Sequence, residues 1–172
     1  MSHSVEDLLE GVKRGDSESM GILGECCLYG NKGLEINYEK AFELSERAAK
    51  AGYIRAYTNL GILYMNGYFV ERNEDRAMKY FLKAMDGGDM KAPRHLGIYY
   101  RNKKDVEKAF EYFRIGAEKG DITSLYYLGE AYEKGTGVRK DIEKAIEYYK
   151  KSAARGDRIS EPAIKALERL LG

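Results

Sequence analysis

The chain has 172 residues, of which 44% are hydrophobic and 33% are charged, with 29 basic against 28 acidic side chains and a formal net charge of +1. This balance argues against nucleic acid as the main partner, because binding to a phosphate backbone needs a basic excess. The chain has no apolar run long enough to cross a bilayer and no secretory signal at its start. We therefore expect a cytoplasmic protein that binds neither nucleic acid nor a membrane.

One unit of about 36 residues recurs four times along the chain. Each copy carries a Leu-Gly pair, then an alanine preceded by a basic residue, and then a closing glycine. These landmarks fall at Leu23-Gly24, Ala41 and Gly52; at Leu60-Gly61, Ala77 and Gly88; at Leu96-Gly97, Ala109 and Gly120; and at Leu128-Gly129, Ala145 and Gly156. A fixed period of this size predicts a stacked repeat array, an architecture that usually offers binding surfaces.

The predicted elements follow this period from one end of the chain to the other. Residues 1–16 have apolar side chains at helical spacing and predict a helix that caps the start of the array. Each repeat predicts two amphipathic helices joined by a turn. The four repeats occupy residues 17–52, 53–88, 89–120 and 121–156. Residues 157–172 predict a final capping helix, so we expect one all-α repeat domain over residues 1–172, a right-handed α-solenoid of about ten helices without a sheet.

Local signals mark the start of the second helix in every repeat. Each of these helices is predicted to begin after an Asn or Asp, whose side chain accepts hydrogen bonds from free backbone N–H groups. The four N-caps are Asn37, Asn73, Asp105 and Asp141. The preceding turns differ, because the second repeat has Phe69 in place of a turn glycine and the third keeps only Asn102-Lys103-Lys104. Turns tolerate such changes, so we expect the stacking to survive.

The fourth repeat carries the fullest form of the motif. It contains Leu128-Gly129, then Tyr132, then Gly135-Thr136-Gly137-Val138, and then Asp141 before the second helix. With the shorter matches in the other repeats, these residues resemble the Sel-one-like repeat family, a relative of the tetratricopeptide repeats. The resemblance covers roughly residues 17–156. It implies stacked helix-turn-helix units and the function of an adaptor or scaffold for other proteins.

The residues that could carry chemistry are explained better by the repeat. His95 lies at a variable helix position and His3 near the chain start, so we expect neither to be a catalyst or a metal ligand. Cys26 and Cys27 align with core positions of other repeats, which favours buried small hydrophobes over a reactive pair. Gly135-Thr136-Gly137 lacks the strand and the lysine of a phosphate loop. We therefore predict no catalytic residue, no metal, no cofactor and no enzyme activity.

By resemblance to tetratricopeptide arrays, a partner would lie in a concave groove lined by the first helix of each repeat. The lining positions are six and three residues before the Leu-Gly glycine, and one, four and five residues after it. From these positions we select a partner-binding set that mixes basic, amide and apolar side chains. The set comprises Arg55, Thr58, Ile62, Met65, Asn66, Lys91, Arg94, Ile98, Arg101, Asn102, Tyr126 and Glu130.

This set predicts an acidic and apolar peptide segment, or a partner helix, as the occupant of the groove. The alternative is that its charges form ion pairs along the helices and have no ligand. Two functions remain open. The first is a non-enzymatic adaptor or scaffold that binds a protein or peptide, and the second is a dedicated inhibitor or immunity-type protein that masks a toxin or an enzyme. A monomer is the default oligomeric state.

Overall fold

A computed structural model describes residues 4–172, and within this part of the chain the backbone forms ten α-helices and no β-strand. The helices are α1 (Val5–Lys13), α2 (Ser17–Tyr29), α3 (Tyr38–Lys50), α4 (Arg55–Asn66), α5 (Glu74–Asp86), α6 (Ala92–Asn102), α7 (Val106–Glu118), α8 (Ile122–Lys134), α9 (Ile142–Ala153) and α10 (Glu161–Leu171). The predicted all-α fold is confirmed. The expectation for His3 concerns a residue outside the described range.

The helices group into two compact units. Unit 1 ends at Asp89 and contains α1 to α5, and unit 2 begins at Met90 and contains α6 to α10. Within unit 1, α2 packs on α3 and α4 packs on α5. Within unit 2, α6 packs on α7 and α8 packs on α9. Each repeat is therefore an antiparallel pair of neighbouring helices, as helices joined by short turns usually are.

The predicted N-caps begin the second helix of every repeat. In unit 1, the Oδ1 atoms of Asn37 and Asn73 each accept a hydrogen bond from the backbone N–H three residues later, at 2.9 Å. In unit 2, Asp105 and Asp141 accept the equivalent bonds at 3.2 and 3.0 Å. Each cap satisfies a donor that the first helical turn leaves unpaired, so a local sequence signal fixes where these helices start.

The glycine of the Leu-Gly landmark lies where the two helices of a repeat pack tightly against each other. Leu96 is fully buried, and the glycine beside it faces an aromatic ring of the second helix. A Cβ atom on Gly97 would lie 2.5 Å from the Phe113 ring, and one on Gly129 would lie 2.6 Å from the Tyr149 ring. These positions need glycine because a larger residue would push the second helix away from the first.

Candidate binding surface

The predicted partner-binding residues lie on the first helices of the second, third and fourth repeats. Arg55, Thr58, Ile62, Met65 and Asn66 are on α4 in unit 1. The remaining seven residues belong to unit 2, at the start of α6, along α6 and on α8. Each set is described within its own unit.

On α4, the five predicted residues divide into accessible and buried side chains. Arg55 and Asn66 are exposed and Met65 is half-buried. Thr58 and Ile62 are only 3% and 7% exposed. These two side chains are therefore little accessible to a partner in this structure, and their place in the partner-binding set stays a prediction. The accessible part of the predicted set on α4 is therefore Arg55, Met65 and Asn66.

Thr58 has a structural contact that explains its burial. Its Oγ1 donates a hydrogen bond to Oδ2 of Asp89, which is also buried. Asp89 directly follows Gly88, the glycine that closes the second repeat. A buried hydrogen bond to a carboxyl group stabilises more than one between two exposed neutral groups. The contact therefore joins the first helix of this repeat to the residue that follows its last helix.

Arg94 on α6 makes the equivalent contact in unit 2. Its Nη1 lies 3.0 Å from Oδ1 of Asp121 and 3.1 Å from Oγ1 of Thr123. The Arg94 side chain is 19% exposed and the Asp121 side chain 7%. Asp121 also caps α8, because its Oδ2 accepts a hydrogen bond from the backbone N–H of Ser124 at 2.8 Å. The guanidinium group of Arg94 is therefore held by contacts within the fold, as in the ion-pair alternative, and its place in the partner-binding set stays a prediction.

Thr58 and Arg94 occupy the same repeat position, three residues before the Leu-Gly glycine. Asp89 and Asp121 also occupy one position, directly after the closing glycine. The first repeat follows the same rule with a different pair, since a Cβ atom on Gly21 would overlap the Tyr53 ring. We call these three contacts the junction pairs. The position three residues before the Leu-Gly glycine, which the sequence predicted to line the groove, therefore holds residues that contact the start of the next repeat.

The other predicted residues of α6 differ in exposure. Ile98 is half-buried against the core formed by Phe113 and its neighbours, whereas Asn102 is exposed at the end of the helix. Lys91 is half-buried at the N-cap position, where its side chain makes no capping hydrogen bond. Arg101 has an exposed side chain at 40%. Asn102 and Arg101 are therefore the most accessible predicted residues on α6.

Arg101 reaches from α6 to α8. Its Nη1 lies 3.3 Å from Oε2 of Glu130, and its guanidinium carbon lies 4.5 Å from the centroid of the Tyr127 ring. Glu130 also pairs along its own helix with Lys134. The prediction that the charges pair along the helices thus describes only part of the arrangement, because Arg94 and Arg101 pair across to the next first helix.

Glu133, one turn beyond Glu130 on α8, is held from the opposite side. Its Oε2 accepts hydrogen bonds from the Tyr149 hydroxyl at 2.7 Å and from Arg169 at 2.9 Å. Burial favours the protonated acid, but the hydrogen bonds from Tyr149 and Arg169 outweigh it and hold the pKa of Glu133 below its usual value. Arg169 on α10 is thereby fixed beside α8.

Tyr126 opens onto a cleft between α8 and α10. The cleft has a volume of about 550 Å³ and is lined by Tyr126, Arg158, Glu161, Pro162, Lys165, Ala166 and Arg169. Of these residues only Tyr126 was predicted from the sequence, because residues 157–172 were expected to form only a capping helix. A signal for them exists in the chain. Gly156-Asp157 and Ser160 repeat the pattern of Gly120-Asp121 and Ser124. Counted from this pattern, Pro162, Ala166 and Arg169 fall on the lining positions of a further first helix.

An exposed aromatic cluster lies at the turn after α4 in unit 1. Phe69 is 55% exposed and its φ of 65° is in the left-handed region, where the fourth repeat has Gly137. The Phe69 ring centroid lies 5.7 Å from that of Phe42, and Tyr68 stacks on Tyr38 at 4.2 Å. A left-handed residue with a side chain is strained by roughly 1–2 kcal/mol. The repeat motif explains neither the strain nor the exposure.

Of the residues that were considered for chemistry, Cys26 and Cys27 are buried and His95 is half-buried, whereas Gly135 and Thr136 are exposed. Burial, with the nearby charges of Arg94 and Lys91, lowers the pKa of His95 to about 3. Cys26 and Cys27 are both buried as free thiols, and burial raises the pKa of each, which disfavours the reactive thiolate. Among residues 4–172, no three His, Cys, Asp or Glu side chains are grouped so that they could hold a metal ion.

None of the described helices combines the length and apolar character needed to cross a membrane.

Comparison with known families gives a match along most of the chain. The model of the Sel1 repeat matches residues 17–53, 54–89, 95–121 and 122–157. Chitin synthase regulatory factor 2 of Schizosaccharomyces pombe is 32% identical over 130 residues, which cover 71% of this chain and 25% of that protein. The chain spans a quarter or less of the length of the first curated relatives that it matches.

Two solved structures share the fold over 92% of this chain. A protective antigen of uropathogenic Escherichia coli, described as displaying an SLR fold, superposes with a TM-score of 0.72 at 31% identity, and the match covers 35% of that chain. A Sel1 repeat protein from Oxalobacter formigenes superposes with a TM-score of 0.71 at 26% identity, and the match covers 72% of that chain. The arrangement of helix pairs is thus one that experimental structures contain.

Proposed function

The chain belongs to the Sel1 repeat family, and from this membership we propose that it is a non-enzymatic adaptor that binds a peptide segment or a partner helix along its first helices. Sel1 repeats generally mediate protein–protein interactions, and the proteins that contain them are mainly non-catalytic adaptors and regulators. The binding mode is our own inference, which rests on the exposure and chemistry of the first helices.

The observation that carries this proposal is the mixed surface left on the first helices after the junction pairs are set aside. On α4 this surface consists of Arg55, Met65 and Asn66. On α6 and α8 it includes Arg101 and Tyr126. Cationic, amide and aromatic or thioether side chains are the groups that peptide-binding grooves use, since they combine hydrogen bonding with apolar contact.

The proposal is tested by cross-linking the protein to its partners in native cells and measuring the affinity of the identified partner for purified variants. We expect Arg55→Glu with Asn66→Lys on α4, and Arg101→Glu on α6, each to weaken binding, because they alter exposed side chains on the proposed surface. The matched control is Lys79→Glu with Lys150→Glu, which changes exposed lysines on the second helices α5 and α9. Weakening by the control alone would contradict the proposal.

The same experiment addresses the second function. An inhibitor or immunity-type protein would be recovered with a toxin or an enzyme, and adding this chain would abolish the activity of that partner. An adaptor would leave the partner active. No observation in the fold favours masking over adaptor function, so the second function stays a prediction, as do the cytoplasmic location and the monomeric state.

A further inference from the structure

The cleft between α8 and α10 in unit 2 has the features of a ligand subsite. It is a cleft that is open to solvent, with a volume of about 550 Å³. Its lining is unbalanced in charge, with the three cations Arg158, Lys165 and Arg169 against the single acid Glu161. A recess with this lining attracts an anionic group.

The three cations are compensated to different degrees. Arg169 is fixed by Glu133, whose Oε1 lies 2.7 Å from its Nη2. Lys165 pairs with Glu161 at 2.6 Å, but both side chains are more than half exposed, and exposed pairs on one helix stabilise little. Arg158 is exposed, and its positive charge helps Lys165 to lower the pKa of Glu161, which is itself exposed. Arg158 and Lys165 can therefore take a new carboxylate partner without breaking a buried contact.

The rest of the lining is apolar. Ala166 is only 7% exposed and belongs to the core cluster around Tyr149, and the half-buried Tyr126 ring packs against the same cluster. Pro162 lies one turn before Ala166 on α10 and also lines the cleft. A cleft with an apolar floor and exposed cations at its side is complementary to a polypeptide segment in which an acidic side chain neighbours an apolar one.

We infer that this cleft binds an acidic segment of a partner polypeptide. A side-chain carboxylate pairs with Arg158 and Lys165, and a neighbouring apolar side chain packs over Pro162 and Ala166. The inference rests on the proposed function and specifies the ligand for one part of the proposed surface. The carboxylate of the partner is placed beside α10 and not beside α6, because the two arginines of α6, Arg94 and Arg101, already pair with Asp121 and Glu130.

The test uses the full chain and a fluorescein-labelled probe peptide, acetylated and amidated at its ends, in which Glu and Asp alternate with Leu. A second probe carries Gln and Asn in place of Glu and Asp. Fluorescence anisotropy gives both affinities for the wild type, for Arg158→Gln with Lys165→Gln, and for the matched control Arg47→Gln with Lys50→Gln on α3. The four substituted residues are exposed, and both double variants lose two positive charges.

We expect the acidic probe to bind the wild type about tenfold more tightly than the amide probe, and the cleft variant to lose this preference, because charge-assisted hydrogen bonds are the stronger ones. The control is expected to keep it. Equal binding of the two probes, no binding of the acidic probe, or an equal loss in the control would overturn the inference. If the cleft variant keeps its preference while Arg55→Glu with Asn66→Lys still releases the natural partner, only the cleft assignment fails and the proposed function stands.

Discussion

The two units solve the same structural problem with different chemistry. In unit 1, the junction pair of the second repeat is Thr58 and Asp89, a hydrogen bond between two buried side chains. In unit 2, the pair at the same repeat positions is Arg94 and Asp121, a salt bridge whose cation remains partly exposed. Asp121 also caps α8, whereas α6, which follows Asp89, begins at Ala92 and its N-cap residue Lys91 makes no side-chain capping hydrogen bond. The position of a residue in the repeat therefore determines its contact, and its charge does not.

This difference changes how basic residues on the first helices are interpreted. If only its charge is considered, Arg94 belongs to a cationic groove. If its contact with Asp121 is considered, Arg94 is equivalent to the neutral Thr58, which contacts Asp89. Arg101, seven residues later, is the more accessible cation at 40% exposure against 19%. Substitutions at the two junctions can separate these interpretations.

The largest effect is expected from Arg94→Glu. The new carboxylate would face Asp121 in a partly buried site, and removing one member of such a pair already leaves a buried charge uncompensated. We expect the free energy of unfolding to fall by about 3 kcal/mol, measured by chemical denaturation. The exposed reversal Lys150→Glu on α9 should cost less than about 0.5 kcal/mol. A stable Arg94→Glu protein would mean that Arg94 is not a junction residue.

A smaller loss is expected from Thr58→Val, which keeps the shape of the side chain and removes the donor to Asp89. A hydrogen bond to a buried carboxyl group contributes about 2 kcal/mol, so the midpoint of thermal unfolding should fall accordingly. The exposed Thr136→Val in the α8–α9 turn is the matched control. If both valine variants were equally stable, the Thr58–Asp89 contact would be energetically unimportant and the comparison between the two junctions would lose its basis.

The smallest effect is expected from Arg101→Gln. The Arg101–Glu130 pair is exposed, and such pairs contribute roughly 0.5 kcal/mol, which salt reduces further. Denaturation at low and high sodium chloride should show a loss that disappears at high salt. A loss as large as that of Arg94→Glu would show that Arg101 is also a structural residue, and it would then leave the proposed surface.

The sequence predicted the helix pairs because their signals are local. The Asn73 cap, for example, bonds to a backbone group three residues away, and the Leu-Gly pair recurs at a fixed spacing. The junction contacts join residues 31 and 27 positions apart, so neither helical periodicity nor capping residues indicate them. This is why the contacts of Thr58 with Asp89 and of Arg94 with Asp121 could not be predicted from the sequence.

The cleft residues were missed for a related reason. The lining rule counts from the Leu-Gly glycine, but α10 has Ile164-Lys165 where α8 has Leu128-Gly129. Without this landmark, Pro162 and Arg169 carry no local sign of their position. The part of the repeat pattern that is present is Gly156-Asp157 with Ser160. Its meaning is clear from the structure, in which Asp157 Oδ1 accepts a hydrogen bond from the backbone N–H of Ser160 at 3.2 Å. Asp121 accepts the equivalent hydrogen bond from Ser124.

The junction pairs also determine where this chain can be cut and recombined. A chimera divided at Gly88 would take Thr58 from one parent and Asp89 from the other, and one divided at Gly120 would separate Arg94 from Asp121 in the same way. A consensus sequence that chooses each repeat position independently could combine members of different junction pairs, for example arginine with tyrosine or glycine with aspartate. Modules exchanged one residue after each closing glycine would keep both members of each junction pair in one module, so the exchangeable segment of this protein is offset by one residue from the repeat visible in its sequence.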